Sequence, residues 1–313
     1  MHPVTVIVIY SVFVVLSSLL GGFIPAMIRL THRRMQLVMS GVGGFMLGIG
    51  FFHLLPHSLH TAIGIDRAVM WLVLGLLTTF LLIRVFGSHS HDTGEGEATA
   101  CDGKGHAGEA NTLHSHEEHA HAPTGSGNYR WVGLGLGLSL HTLLDGVALS
   151  AAVLGDASHG SAGLFFGFAV FLGILIHKPL DSLSITALMA TGGWSVRWQS
   201  IVNLTYALMC PLGAFVFYMG VRNTPQESLA IGCGLAFAAG IFICISLSDL
   251  LPELQFHSHD RWPLTILLFL GVSLAYSMKY LEPAHMHGEG ATQSLHDHSG
   301  HDDHDHPSHD HGD

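Results

Sequence analysis

Charge is scarce in this chain. Only 11% of its 313 residues are Asp, Glu, Lys or Arg, against 49% hydrophobic. Lys plus Arg total 12 and no basic cluster is interleaved with aromatics, which removes nucleic acid from the expected partners. Cysteine is scarcer still: there are 4, with Cys210, Cys233 and Cys244 in apolar stretches, Cys101 in a polar loop and no CxxC pair. Neither a disulfide framework nor a thiolate zinc site is expected from that pattern. No GxxxxGK[ST] segment is present to cradle a nucleotide, and no HExxH to hold the zinc of a hydrolase. The net charge of −11 is concentrated in residues 87–128 and 285–313, so it describes a loop and a tail rather than a binding surface.

Outside those two segments the chain consists of apolar runs of roughly 20 residues, the length that crosses about 30 Å of hydrocarbon. Spans are expected near 4–28, 36–60, 68–86, 131–154, 161–190, 197–221, 228–251 and 262–281. The expected fold is an all-α polytopic membrane protein of eight transmembrane helices. Residues 1–86 hold spans one to three, 87–128 a disordered His-rich cytoplasmic loop, 129–284 spans four to eight, and 285–313 a disordered His/Asp-rich tail. The start of the chain lacks the basic flank of a cleavable signal, so the first span reads as an uncleaved signal-anchor. With the N-terminus outside, one side receives Arg29, Arg33, Arg34, Arg84, Lys104, Arg130, Arg197 and Arg261, the other Arg67, Arg222 and Lys279. That bias predicts a cytoplasmic first loop and both termini outside.

Two short repeats stand out. The second span ends in HLLPH at 53–57 and the seventh in DLLPE at 249–253; the fourth carries HTLLD at 141–145 and the fifth HKPLD at 177–181. The latter pair falls near mid-span in helices of opposite direction, the trace that inverted-topology repeats leave when a substrate site lies at the midplane. Residues four apart share a helix face, so His141 with Asp145, and His177 with Asp181, each present an imidazole and a carboxylate together. Two such helices facing each other make a four-ligand set suited to zinc, iron, nickel and related ions. A carboxylate at mid-bilayer costs about 2.5–3.5 kcal/mol on insertion scales unless it is paired or hydrated, so two aspartates there point to a cation. His53, the deepest of the stripe His53, His57 and His60, is the next candidate ligand. His57 and His60 at one end, and Asp249 and Glu253 at the other, suit a pathway for a cation. Lys178 carries a positive charge at membrane depth and reads as an internal counter-ion, for Asp249 or for the carboxylates of an empty site. Pro179 removes a backbone donor and crowds the carbonyl of Leu175, predicting a kink or opening beside His177. Gly146 lets a neighbouring backbone approach. The histidines from His89 to His121 and from His285 to His311 form tracts that bind metal weakly and in many arrangements.

On these motifs the sequence resembles the ZIP (Zrt/Irt-like) family of metal transporters over all eight spans. The resemblance rests on the HLLPH and DLLPE ends, on AAGIF at 238–242, on the paired HTLLD, followed by Gly146, and HKPLD, and on the His-rich loop between spans three and four. It implies a 3+2+3 inverted-repeat arrangement with both termini outside, and uptake of zinc or a similar ion into the cytosol. His141, Asp145, His177 and Asp181 would then be the primary ligands. Many members have a carboxylate or amide at the position of Lys178 and hold two metals side by side; here Lys178 implies a single site, with Asp249 as the lysine's partner. Asp181 stands where many members have Glu or His, which leaves the choice among Zn²⁺, Fe²⁺, Mn²⁺ and Cd²⁺ open. The metal is expected as substrate of an alternating-access carrier, with no organic cofactor. The expected partners are metal ions and the lipid bilayer, a homodimer being left open, and the expected location is the plasma membrane or a bacterial inner membrane. Three other readings stand beside this one: a cation-diffusion-facilitator-like zinc exporter, an intramembrane zinc-dependent hydrolase, and a non-transporting metal sensor or buffer.

Overall fold

Apolar runs bounded by turns fold as the hydropathy predicts. The computed structural model describes residues 2–27, 32–61, 63–87, 130–158, 166–256 and 261–280, with backbone alone at 24–27, 32, 87, 130, 249–256 and 261. The His-rich loop and the tail lie outside the described residues, as do the side chains of Asp249 and Glu253. Among the described residues there is no strand, and eight helical segments are long and apolar enough to cross a membrane.

The first span is α1 (Pro3–Met27). The second is built from α2 (His32–Ile49), a π-helical stretch (Gly50–Leu54) and α3 (Leu55–Leu59). Pro56 explains the change of winding: lacking an N–H, it enters at the first turn of a new helical segment. Spans three, four and five are α4 (Ile65–Gly87), α5 (Arg130–Ser158) and α6 (Phe168–Thr191). The sixth is α7 (Val196–Ala207) followed by α8 (Met209–Arg222), broken at Leu208 where Pro211 lies in the first turn of the second piece. Spans seven and eight are α9 (Glu227–Phe256) and α10 (Arg261–Ser277), the last continued by a 3₁₀ turn (Met278–Tyr280).

The fifth span was expected from 161, but its described helix begins at Phe168. Gly167 precedes it at φ 63°, and the Gly167 N–H donates to Asp156 Oδ2 at 2.7 Å. A β-carbon at Gly167 would stand 2.9 Å from the Val153 backbone nitrogen, so both conformation and space require glycine here.

Helices in lipid associate through small residues and close backbone contact rather than through burial from water. The most extensive contacts pair α2 with α10, α4 with α9, α5 with α8, and α1 with α6. The α5–α8 pair shows why Gly146 is glycine: a β-carbon there would fall 2.0 Å from the carbonyl oxygen of Cys210, and one at Gly213 of α8 would fall 1.9 Å from that of Leu143. Contacts group the spans into two sets, one of spans two, three, seven and eight, the other of spans one, four, five and six. Ser17 to the Leu175 carbonyl, Ser40 to the Leu264 carbonyl and Ser182 to Asn203 all join helices of one set. Between the sets, α5 meets α9 where Gly155 packs against Ile231 and Leu235, and Ala151 against Gly234.

Outward, the third span exposes Val69, Met70, Val73, Leu77 and Leu81, an apolar face that only a bilayer solvates without cost. Ordinary backbone rules and an apolar solvent thus produce a bundle in which the second, fifth and seventh spans are the most buried.

Candidate metal centre

His141 and Asp145 lie one helical turn apart on α5, and His177 and Asp181 one turn apart on α6. The structure brings all four together, each offering a ligand atom within 4.8 Å of the others. The imidazole Nε2 atoms of His141 and His177 each stand 3.4 Å from Asp145 Oδ2 and 3.7 Å from Asp181 Oδ2. The rings are 5.7 Å apart between centroids.

Two features mark this cluster as prepared for a cation. The first is tautomer control. His177 Nδ1–H donates to the Gly173 carbonyl at 2.8 Å, which leaves the Nε2 lone pair aimed at the carboxylates. The second is incomplete hydrogen bonding. Both ring nitrogens of His141, and Asp145 Oδ1, are buried without a hydrogen-bond partner. Buried polar atoms are rarely left unpaired, since each costs about 1–3 kcal/mol. Two imidazoles and two carboxylates with open lone pairs match the donor set of a borderline divalent ion.

Lys178 lies directly beside the cluster, fully buried. Its three protons are shared among four oxygens, Asp145 Oδ2 at 2.5 Å, Thr142 Oγ1 at 3.0 Å, Asp181 Oδ2 at 3.1 Å and, the longest, Tyr206 OH at 3.4 Å. Of the two partners expected for it, the carboxylates of the site are the ones it meets; the Asp249 side chain lies outside the described residues. Thr142 can accept because its own proton goes to the Leu138 carbonyl at 2.8 Å. Tyr206 can accept because its O–H donates to Asp181 Oδ2 at 3.0 Å. The ammonium is therefore held by charge and by a full set of acceptors, the condition on which a buried lysine persists.

The proline expectation has a specific outcome. Pro179 lies inside α6, and the carbonyl it leaves without a helical partner, that of Leu175, accepts from Ser17 Oγ of α1 at 2.8 Å. The freed acceptor is consumed by helix packing rather than offered to an ion, and Pro179 itself sits against Gly21 of the same helix α1.

His53 does not join the four. It is buried in the π-helical stretch, and its Nε2–H donates to the Ala275 carbonyl of α10 at 2.7 Å. His57, a turn further on, pairs through Nδ1 with Asp156 Oδ1 at 3.3 Å. Since α3 and α5 belong to different sets, this contact spans the seam. His60 is exposed at the end of the same span.

Sequence reading missed Thr142, Tyr206 and Asp156. Tyr206 had a signal: it lies three residues after Asn203 on α7, so two polar side chains share one face of an apolar span. Both prove to face α6, Asn203 accepting from Ser182 and Tyr206 donating to Asp181.

The family model described as ZIP zinc transporter matches residues 4–279. The chain belongs to the ZIP zinc transporter family. Among curated relatives, zinc transporter ZIP9-B of Xenopus laevis is 30% identical over 128 residues, 39% of this chain and 40% of that protein. Zinc transporter ZIP9 of Macaca fascicularis is 30% identical over 128 residues, 40% of this chain and 52% of that protein. Zinc transporter ZIP10 of Mus musculus is 28% identical over 122 residues, 39% of this chain and 13% of that protein. The matched stretch thus spans between 13% and 52% of these relatives' length. ZIP members are transporters rather than enzymes, which sets aside the intramembrane hydrolase, and membership in this family sets aside the cation-diffusion-facilitator alternative.

Proposed function

We propose that this ZIP-family chain carries divalent transition-metal ions, zinc first, across the membrane into the cytosol, with His141, Asp145, His177 and Asp181 as the ligands of a single mid-membrane site. The observation that carries the reading is the convergence of those four side chains with unpaired buried lone pairs on His141 and Asp145. The ion is substrate, held by imidazoles and carboxylates and released again. Lys178 fills the space where a second ion would need carboxylates, which supports one ion per site. Fe²⁺, Mn²⁺ and Cd²⁺ fit the same donor types, zinc being favoured by the two imidazoles.

Exposure of the ligands supports alternating access. Asp181 and His141 lie toward the end of the bundle where α5 begins and α6 ends, and their side chains are 18% and 10% exposed. Asp145 and His177 lie toward the other end and are 0% and 6% exposed. We take the more exposed Asp181 to mark the open side, at the end that the charge bias makes cytoplasmic, with both termini outside in a plasma or bacterial inner membrane. Opening toward the other end requires the set that holds all four ligands (spans one, four, five and six) to shift against the set of spans two, three, seven and eight. Along the seam between them, α5 and α9 approach closely at Gly155, Ala151 and Gly234, with Ile231 and Leu235 of α9 beside Gly155. The His57–Asp156 pair must break or re-form in that step, which suits His57 and the exposed His60 to the outer path. No nucleotide-binding segment is encoded, so the ion's own gradient or a coupled ion supplies the drive.

The test is uptake of radioactive zinc into proteoliposomes holding the intact chain, against empty liposomes, beside a chain lacking 88–127 and 286–313. Zinc enters with the intact chain, and the truncated chain retains most of the rate. Loss of all zinc association with the two His tracts would instead make the protein a buffer or sensor.

A further inference from the structure

Asp181 is the most exposed of the four ligands, and its Oδ2 is the most crowded ligand oxygen. The same Oδ2 that faces both imidazoles at 3.7 Å also receives the Lys178 ammonium at 3.1 Å and the Tyr206 hydroxyl at 3.0 Å. Tyr206 is held for this task. It is 1% exposed, its ring packs with Ile185 and Met189, and the Lys178 Nζ lies 5.6 Å from its centroid. With the Lys178 Nζ 3.4 Å from the phenol oxygen, the phenol's single proton goes to the carboxylate. A carboxylate oxygen that already accepts a charge-assisted hydrogen bond has less electron density left for a metal ion. Asp145 receives the lysine on Oδ2 but no phenol hydroxyl; on both carboxylates the hydrogen bonds fall on Oδ2, so the phenol is what sets Asp181 apart.

We propose that Tyr206 is a specificity-determining positioning residue, which weakens Asp181 as an oxygen ligand and so tilts the site toward ions bound mainly by imidazole, zinc above manganese. This rests on the reading of the four residues as metal ligands. An ion such as Mn²⁺ draws more of its affinity from carboxylate oxygen, whereas zinc takes imidazole readily. With the phenol in place, the site disfavours oxygen-seeking ions and lets go of zinc on the open side. Without it, Asp181 Oδ2 becomes a stronger ligand for every divalent ion, manganese gaining most.

The variant is Tyr206→Phe, which keeps the ring and its packing and removes only the hydroxyl. Uptake of zinc and of manganese is measured in proteoliposomes with the full chain. Zinc KM is expected to fall about tenfold, the scale of one hydrogen bond to a charged group. The zinc kcat falls with it, and the ratio of kcat/KM for manganese to that for zinc rises several-fold. Equal losses of kcat for both ions at unchanged KM would mean a merely structural role and would overturn the inference, as would no change at all. A second readout separates this inference from the transport reading. The visible absorption of Co²⁺ is recorded on detergent-solubilised wild type, Tyr206→Phe and His177→Ala, the tracts contributing equally to all three. A component lost in His177→Ala and displaced in Tyr206→Phe upholds the inference even if no zinc crosses a membrane. A component identical in wild type and Tyr206→Phe overturns it.

Discussion

Zinc uptake by His177→Ala is expected to fall to the level of empty liposomes. His177 is the imidazole whose orientation is fixed independently of any ion, by its Nδ1–H bond to the Gly173 carbonyl. That bond sets the tautomer, so the Nε2 lone pair faces Asp145 and Asp181 before a metal arrives. Phe242 of α9 stands edge-on to the ring at 6.5 Å and limits its rotation. Alanine removes one of the four proposed ligands and leaves an apolar gap that no neighbouring donor is placed to fill, because His53 is committed to Ala275. Losing an outer-shell partner alone commonly costs about 10–100-fold in metal affinity, and losing a ligand costs more. The measurement is the initial rate of zinc uptake in proteoliposomes, beside a thermal unfolding scan that shows the variant folded. Uptake at the wild-type rate by a folded His177→Ala would place the transport site elsewhere.

The spans and the four clustered residues were legible in the sequence for the same reason. A bilayer leaves few solutions for the backbone, so an apolar run of the right length is a helix and an HxxxD inside it has a known face. Two such pairs at matching depth in antiparallel helices could then meet. The neighbours of the site were harder to read because they depend on which helices touch. Tyr206 and Asn203 share a face on α7, but only the packing of α7 and α6 decides that this face meets Asp181 and Ser182. Lys178 was legible as a counter-ion, whereas its binding by Thr142 follows from the crossing of α5 and α6. The proline was read from its chemistry alone, which correctly frees the Leu175 carbonyl. That Ser17 takes it is a property of the α1–α6 contact. His53 misled by depth: it lies deep enough to reach a midplane site, yet the π-helical turn and the nearby α10 carbonyl give it a structural bond.

Lys178→Met is expected to lower the melting temperature of the metal-free protein by about 10 °C and to make that temperature depend on zinc far more than in wild type. Asp145 and Lys178 are both 0% exposed and in contact at 2.5 Å. Removing one partner of such a pair leaves an uncompensated buried charge, which costs about 3–5 kcal/mol. In soluble proteins of 150–250 residues each kcal/mol moves the midpoint about 2–4 °C, which sets the expected scale. Methionine matches the stem of lysine in length and apolarity, so the loss is of charge rather than of packing. Zinc supplies the missing positive charge to the same two carboxylates, and an ion at 100 times its Kd stabilises by about 2.7 kcal/mol through mass action alone. The His tracts are identical in both proteins, so their contribution cancels when the zinc-induced shifts are compared. The expected result is a large zinc-dependent recovery in Lys178→Met and a small one in wild type, where the ammonium already does part of the ion's work. Equal melting temperatures without metal would mean that Lys178 does not balance the carboxylates. A lower temperature that zinc fails to raise would mean that the ion does not bind where the lysine points. The transport consequence has the same origin. A tethered cation lets the carboxylates release zinc without being left bare, so Lys178→Met should hold zinc more tightly and turn over more slowly, with KM and kcat falling together in the uptake assay.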